Sequence, residues 1–230
     1  MGVKEPVKRG FPRREAKARA TRAAVLAAAK KLFVAAGYGA TTIQAIADEA
    51  DVAVQTVYAA FGNKRSVLAE LVDVSIAGDD AEIVVNAREW MRPVWDDPSA
   101  AGRLRAYAAA VRRIMEGAGD VFAVVAAAAT TDPEVADLAV ITEQRRRAGA
   151  RSVVESVRAV GKLCPGLTAR RAVDVLWLLN GPAVFAHFVR GAGWSLDRYE
   201  AWLADAMVGA LLDPALTSRS TAPREPHRSP

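Results

Sequence analysis

Apolar side chains recur along most of this chain at the three- and four-residue spacing of a helix, and no long run alternates as a half-buried strand does. Over residues 19–36 the positions Val25, Ala29, Leu32, Phe33 and Ala36 mark one helix face, and Gly37 supplies a stop. Thr41 and Gln44 stand three apart, the spacing of a capping box, ahead of a short helix with Ile43, Ile46, Ala47 and Ala50 on one side. After Asp51 and Val52 a third short helix over 54–60 turns Val57 and Phe61 inward and leaves Gln55, Thr56 and Tyr58 largely outward. Asn63 can cap a fourth helix that begins at Lys64.

The pattern breaks at Gly78-Asp79-Asp80, and the stretch Trp-Met-Arg-Pro-Val-Trp-Asp-Asp-Pro-Ser-Ala (90–100) has two prolines and no helical period, so it reads as a surface connection. Helical spacing returns over 99–116, over 120–131 with room for a break, over 133–160 and over 168–190. Pro182 should kink the last of these, because it lacks a backbone donor and clashes with the preceding turn. Ser195 can cap a final helix that buries Trp202, Ala206, Val208 and Leu211 and stops at Pro214. The fold class is therefore all-α, in a chain long enough to bury a real core.

Charge adds a functional clue. Residues 1–65 hold 12 Lys/Arg against 5 Asp/Glu, whereas the remainder holds 19 against 21. A basic segment of this kind suits a polyanion, either nucleic acid or an anionic membrane surface, and a solvated basic tail has the same composition. Lys4, Lys8, Arg9, Arg13 and Arg14 have no apolar stretch behind them, so the start is neither a secretory signal nor a membrane anchor, and a cytoplasmic location is expected. The apolar runs 121–129 and 175–189 are too short to span a membrane, and the second is interrupted by Gly181, Pro182 and His187. Cys164 is the only cysteine and His187 and His227 the only histidines, which leaves no disulfide, no multi-histidine metal site and no Cys/His pair at motif spacing. No metal, cofactor or enzymatic activity is expected. The run Arg145-Arg146-Arg147 covers too many helix faces to be one stripe and reads as a solvated surface.

Two short helices joined by about four residues have the geometry of a helix-turn-helix, although ordinary helical hairpins share that spacing. Residues 27–71 closely resemble the DNA-binding domain of the tetracycline-repressor (TetR) family. The features that carry the resemblance are Leu32-Phe33, Gly37-Tyr38, Thr41-Thr42, Ile46-Ala47, Val52, Thr56-Val57-Tyr58, Phe61, Lys64 and Leu68, in order and without gaps. Two positions depart from the family pattern: Asp51 stands where a glycine is common in the turn, and Ala53 where a serine is frequent. Aspartate tolerates a left-handed backbone, so the turn remains feasible, but losing the serine removes a cap and a phosphate contact.

The resemblance implies a bacterial transcription regulator. Thr42, Thr56 and Tyr58 would offer hydroxyls to phosphate oxygens, and Lys64 a charge. Gln55 would read a base edge, with Ala53 and Val54 able to touch only thymine methyls. A basic arm over 4–22 would follow phosphates or enter a minor groove. Each residue also has a plainer role: Thr42 as a helix cap, Tyr58 as a core aromatic with a wet hydroxyl, Gln55 as an ordinary surface residue. The domains expected are a basic flexible arm (1–18), a three-helix helix-turn-helix domain (19–66), a helical effector-binding and dimerisation bundle (67–213) and a disordered tail (214–230).

In this family the last two long helices of each subunit pack against those of a partner, a role that 168–190 and 195–212 would fill here. A small-molecule effector would lie inside the bundle. Its candidate contacts are the aromatic or polar residues on otherwise apolar helices, Tyr107, Met115, Phe122, Trp177, Asn180 and His187, each of which serves equally well as ordinary core. The function expected is a dimeric repressor of a palindromic operator, released by its effector. The alternative is an architectural DNA-binding protein without an effector.

Overall fold

The computed structural model describes residues 11–79, 81 and 83–213, with side chains from residue 14 onward. Ten α-helices account for most of this span: α1 (Phe11–Ala36), α2 (Ile43–Glu49), α3 (Val54–Phe61), α4 (Lys64–Ala77), α5 (Arg92–Asp96), α6 (Ala100–Ala128), α7 (Pro133–Val160), α8 (Ala169–Leu179), α9 (Pro182–Phe185) and α10 (Leu196–Leu211). Among the described residues no strand forms, and the one β-bridge joins Leu163 to Leu212. The all-α expectation holds.

Two compact units divide the chain, and neither is a continuous piece. The described parts of Met1–Ser75 and Asp120–Leu138 make the first; those of Ile76–Gly119 and Ala139–Pro230 make the second. Helix α1 starts at Phe11, well ahead of the 19 that apolar spacing marks, because Pro12 is tolerated in a first turn and the Arg, Glu, Ala and Lys residues that follow are good helix formers. Residues 1–10 of the expected arm and the tail 214–230 lie outside the described residues. At the other end of α1, Gly37 takes φ +83 and donates its N–H to the Phe33 carbonyl at 2.9 Å, the expected stop.

In the first unit, Val25, Ala29 and Phe33 of α1, Ile46 and Ala47 of α2, Val57 of α3 and Val67 and Leu68 of α4 are all buried. Val121, Val125 and Val135 are buried within the same unit. In the second unit the core draws on Leu104, Ala108 and Met115 of α6, Ala150, Val153 and Val157 of α7, Leu176 of α8 and Leu203, Met207 and Leu211 of α10. Helix α10 is capped by Ser195, as expected, but its buried face is centred on Tyr199, Leu203 and Met207, with Trp202, Ala206 and Val208 only half-buried.

Three other expectations change. Residues 90–100 are not a bare surface connection: they form a 3₁₀ turn and α5, and Met91 and Val94 are buried at 2% and 0% exposure, so two apolar anchors override the prolines. Helix α6 runs unbroken through Gly117 and Gly119, since burial of the surrounding helix outweighs the roughly 1 kcal/mol cost of an interior glycine. The kink in 168–190 is real and falls at Asn180-Gly181, with Pro182 opening α9; the two halves bend by 42°. Beyond α9 the chain widens into a π-helical turn, Ala186–Gly191. No single helix among the described residues is long and apolar enough to cross a membrane, and this bent pair reaches the necessary length only across its bend.

Candidate nucleic-acid interface

Helices α2 and α3 are joined by a turn whose shape depends on Asp51, which takes φ +53 and is the only non-glycine with positive φ among the described residues. The left-handed turn expected of an aspartate at this position is present. Its neighbours close the turn through the backbone: Asp51 N–H donates to the Asp48 carbonyl at 3.3 Å and Val52 N–H to the Ala47 carbonyl at 3.0 Å.

Thr42, not Thr41, caps α2. Its Oγ1 accepts from Ala45 N–H at 3.0 Å, whereas Thr41 is buried and donates its hydroxyl to the Gly37 carbonyl at 2.8 Å. The capping-box pairing of Thr41 with Gln44 is therefore corrected: Gln44 donates instead to Asp48 at 2.8 Å. Thr42 is exposed, and a hydroxyl that accepts as a cap still has a proton to donate.

Helix α3 has one buried edge, Val57 and Phe61, as its spacing predicts. The opposite side carries Gln55, Tyr58 and Ala59, all exposed, with Thr56 and Val54 half-buried at its margins. Tyr58 is 52% exposed, so it is a surface group and not a core aromatic. Ala53 is the N-cap of α3 and makes no side-chain cap bond, which is the vacancy expected where a serine is frequent. Ala59 was not singled out by sequence, although its spacing of four from Gln55 places both on one face.

Two basic residues of the region turn inward. Lys64 Nζ donates to the carbonyls of Tyr38 and Thr41, both at 2.9 Å, and lies 4.2 Å from the centre of the Tyr38 ring. Arg22, placed by sequence on the phosphate-seeking arm, pairs with Glu70, donates to the Ala60 carbonyl at 2.7 Å and covers the Phe61 ring at 4.5 Å. Both brace the scaffold that presents α3. Arg14, Lys17 and Arg19 along α1 are exposed. The Tyr38 phenol, packed beneath Lys64, is pushed up to about 12, first by burial and then by the carboxylates of Asp132 and Glu134.

The candidate effector residues separate. In the second unit the Asn180 side chain donates to the Tyr107 hydroxyl at 2.6 Å and accepts from Arg146, which also pairs with Glu143; Glu143 in turn accepts from Trp177 Nε1 at 3.1 Å. Tyr107, Trp177 and Asn180 are thus brought together around Arg146, whose side chain is only 16% exposed. That corrects the solvated reading of the arginine run for its middle member, while Arg145 and Arg147 are exposed as expected. The register of Arg146 with Ala150, Val153 and Val157 on the buried face of α7 was the signal that could have found it. Met115 is buried on α6, Phe122 is buried in the other unit, and His187 is exposed, its ring 5.6 Å from that of Phe188. No group of three or more His, Cys, Asp or Glu residues able to hold a metal occurs among the described residues.

Residues 25–71 match the family model described as bacterial regulatory proteins, tetR family. No curated protein sequence matches the chain. Among solved structures, a SmeT–triclosan complex is similar at a TM-score of 0.66 and 17% identity, covering 92% of this chain and 99% of its own. A putative TetR-family regulator from Rhodococcus sp. is similar at 0.63 and 14%, covering 84% and 98%. A putative transcriptional regulator from Saccharomonospora viridis in complex with choline is similar at 0.62 and 18%, covering 84% and 97%. These likenesses show a fold shared well beyond the helix-turn-helix, and residues 25–71 carry the DNA-binding segment described for the tetR family of bacterial regulatory proteins.

Proposed function

We propose that the protein is a homodimeric repressor, acting in the cytoplasm, that grips a palindromic operator through α3 and releases it when a small molecule binds the second unit. The observation that carries this reading is the exposed face of α3: Gln55, Tyr58 and the small Ala59 point away from a fully buried Val57, behind a left-handed turn at Asp51. That face can enter a major groove. Gln55 then reads an adenine edge, Ala53 and Val54 lie beside thymine methyls, and the hydroxyls of Thr42, Thr56 and Tyr58 meet phosphates. Lys64 contributes mainly by holding the loop that sets Thr42, since two of its three protons are engaged within the chain.

Dimerisation through α8 to α10 is favoured by Leu178 near the end of α8, a large apolar side chain left 66% exposed. Effector binding is favoured by two structures of similar fold, one a complex with triclosan and the other a complex with choline. Tyr107, Trp177 and Asn180 are the candidate contacts that cluster.

Fluorescence anisotropy of the full-length protein on DNA flanking its own gene, across a salt series, tests the reading. Tyr58→Ala should weaken every sequence by about tenfold or more, the loss of one hydrogen bond to a charged phosphate. Gln55→Ala should cost about 1–3 kcal/mol on the operator and little on random DNA. Equal binding of wild type to all sequences favours the architectural alternative, and no binding at low salt defeats the DNA-reading role of α3.

A further inference from the structure

Tyr199 of α10 is wholly buried, and its hydroxyl is the one buried side-chain polar atom without a hydrogen-bond partner among the described residues. Burial pushes this phenol up to about 12, so it stays protonated and keeps a hydrogen to donate. Its ring stands edge-on to Phe185 at 5.2 Å and lies 6.2 Å from Trp202. Trp202 also packs on Phe188 at 4.3 Å, and Phe188 on Trp194 at 4.5 Å. The Tyr199 ring is therefore packed among aromatic side chains.

Part of this packing comes from the π-helical turn Ala186–Gly191. Such turns are rare and are frequently found at functional sites. Here the turn lies between Phe185 and Trp194 and carries Phe188, so rewinding it would shift the rings packed on Trp202 of α10. A buried donor left without an acceptor is costly, and native proteins seldom retain one that nothing answers. The carboxylates of this part of α10 are matched, Arg112 pairing with Asp197 at 2.7 Å and Glu200 at 2.9 Å, and Arg198 lies over the Trp194 ring at 4.1 Å.

We propose that Tyr199 is the polar anchor of the effector site, and that the effector is a neutral aromatic molecule with one hydrogen-bond acceptor, a carbonyl or ether oxygen. Its ring packs against Phe185 and Trp202, and its oxygen accepts the Tyr199 proton. A charged group set against these rings would lose its hydration there, which favours a neutral ligand. The proposal rests on the ligand-responsive reading above and names the chemistry of that ligand, through a residue that the sequence pattern did not single out.

The test uses full-length protein without DNA and shape-matched probe pairs that differ only in the acceptor: acetophenone with α-methylstyrene, and 2-acetylnaphthalene with 2-isopropenylnaphthalene. Isothermal titration should show each ketone binding wild type about five- to tenfold more tightly than its alkene. Tyr199→Phe should bring that ratio to about one and, by deleting an unanswered hydroxyl, raise the thermal midpoint of the free protein. A ratio that survives in Tyr199→Phe overturns the proposal, as does the absence of binding by all four probes at about 1 mM. A lower midpoint in Tyr199→Phe with no change in probe affinity also overturns it, because the hydroxyl would then be serving the free fold. Operator release measured in parallel keeps the two readings apart. Ketone binding through Tyr199 without release leaves the site standing and defeats effector control; release by other compounds that Tyr199→Phe does not alter does the reverse.

Discussion

Lys64→Met removes the ammonium while keeping the length of the side chain and most of its packing on Tyr38. The lost interactions are two hydrogen bonds at 2.9 Å, to the carbonyls of Tyr38 and Thr41, and a cation–π contact at 4.2 Å. Hydrogen bonds to a charged group contribute about 1.5–3 kcal/mol each, but Lys64 is only half-buried and the freed carbonyls can rehydrate, so about 2 kcal/mol for the pair is reasonable. The ring contact adds about 0.5–1 kcal/mol. A loss of about 2–3 kcal/mol should lower the thermal midpoint of a protein of this size by about 5–10 °C, read by circular dichroism. The salt dependence of DNA binding should hardly change, because a charge held on carbonyls displaces few counterions. A phosphate ligand behaves oppositely: its removal reduces the slope of log affinity against log salt by about 0.9 and leaves the melting temperature alone. That second outcome would refute the inward role assigned to Lys64.

Other perturbations follow from single contacts. Arg88 is 6% exposed and donates to Asp79 and to the carbonyls of Ala81 and Ile83, and its hydrogen bonds hold the Asp79 carboxyl below its ordinary value of 3.8. Arg88→Met should raise that carboxyl part of the way to its usual range, since the Ala81 N–H still donates to it at 2.9 Å, seen by NMR titration, and speed amide exchange around Asp79 and Arg88. A Cβ at Gly102 would overlap the Asp97 carboxylate, which caps Ser99 N–H at 2.8 Å. Gly102→Ala should therefore displace the cap and destabilise the protein by about 1 kcal/mol in urea unfolding, and an unchanged midpoint would count against that crowding. Tyr38 and Tyr199 are both pushed from 10 to about 12, so folding favours their protonated forms. That contribution is complete below about pH 10 and is lost as pH rises through about 12, and Tyr199→Phe should flatten part of the decline.

Local chemistry made much of this protein legible in its sequence. The period of the apolar residues located α1 to α4, put Val57 and Phe61 on the inner edge of α3 and left Gln55 and Tyr58 outside, because a helix repeats every 3.6 residues whatever it packs against. Caps at Asn63 and Ser195 and the stop at Gly37 were equally readable, since each satisfies a backbone group within three or four residues of itself. The left-handed turn at Asp51 follows from the tolerance of an aspartate side chain for positive φ.

Tertiary structure decided what depends on partners distant in the chain. Whether Lys64 and Arg22 face solvent or brace the domain turns on carbonyls and a carboxylate 23 to 48 residues away, which no local spacing encodes. Arg146 meets Asn180 at a separation of 34 residues, and 120–138 joins the first unit although it lies in the middle of the sequence. Met91 and Val94 are buried because a hydrophobic surface waits for them, not because their segment has a period. The orphaned hydroxyl of Tyr199 belongs to the same class: only packing on all sides can bury a phenol and leave it without an acceptor. Periodicity and capping are properties of a short stretch of chain, whereas the environment of a polar side chain is a property of everything folded around it.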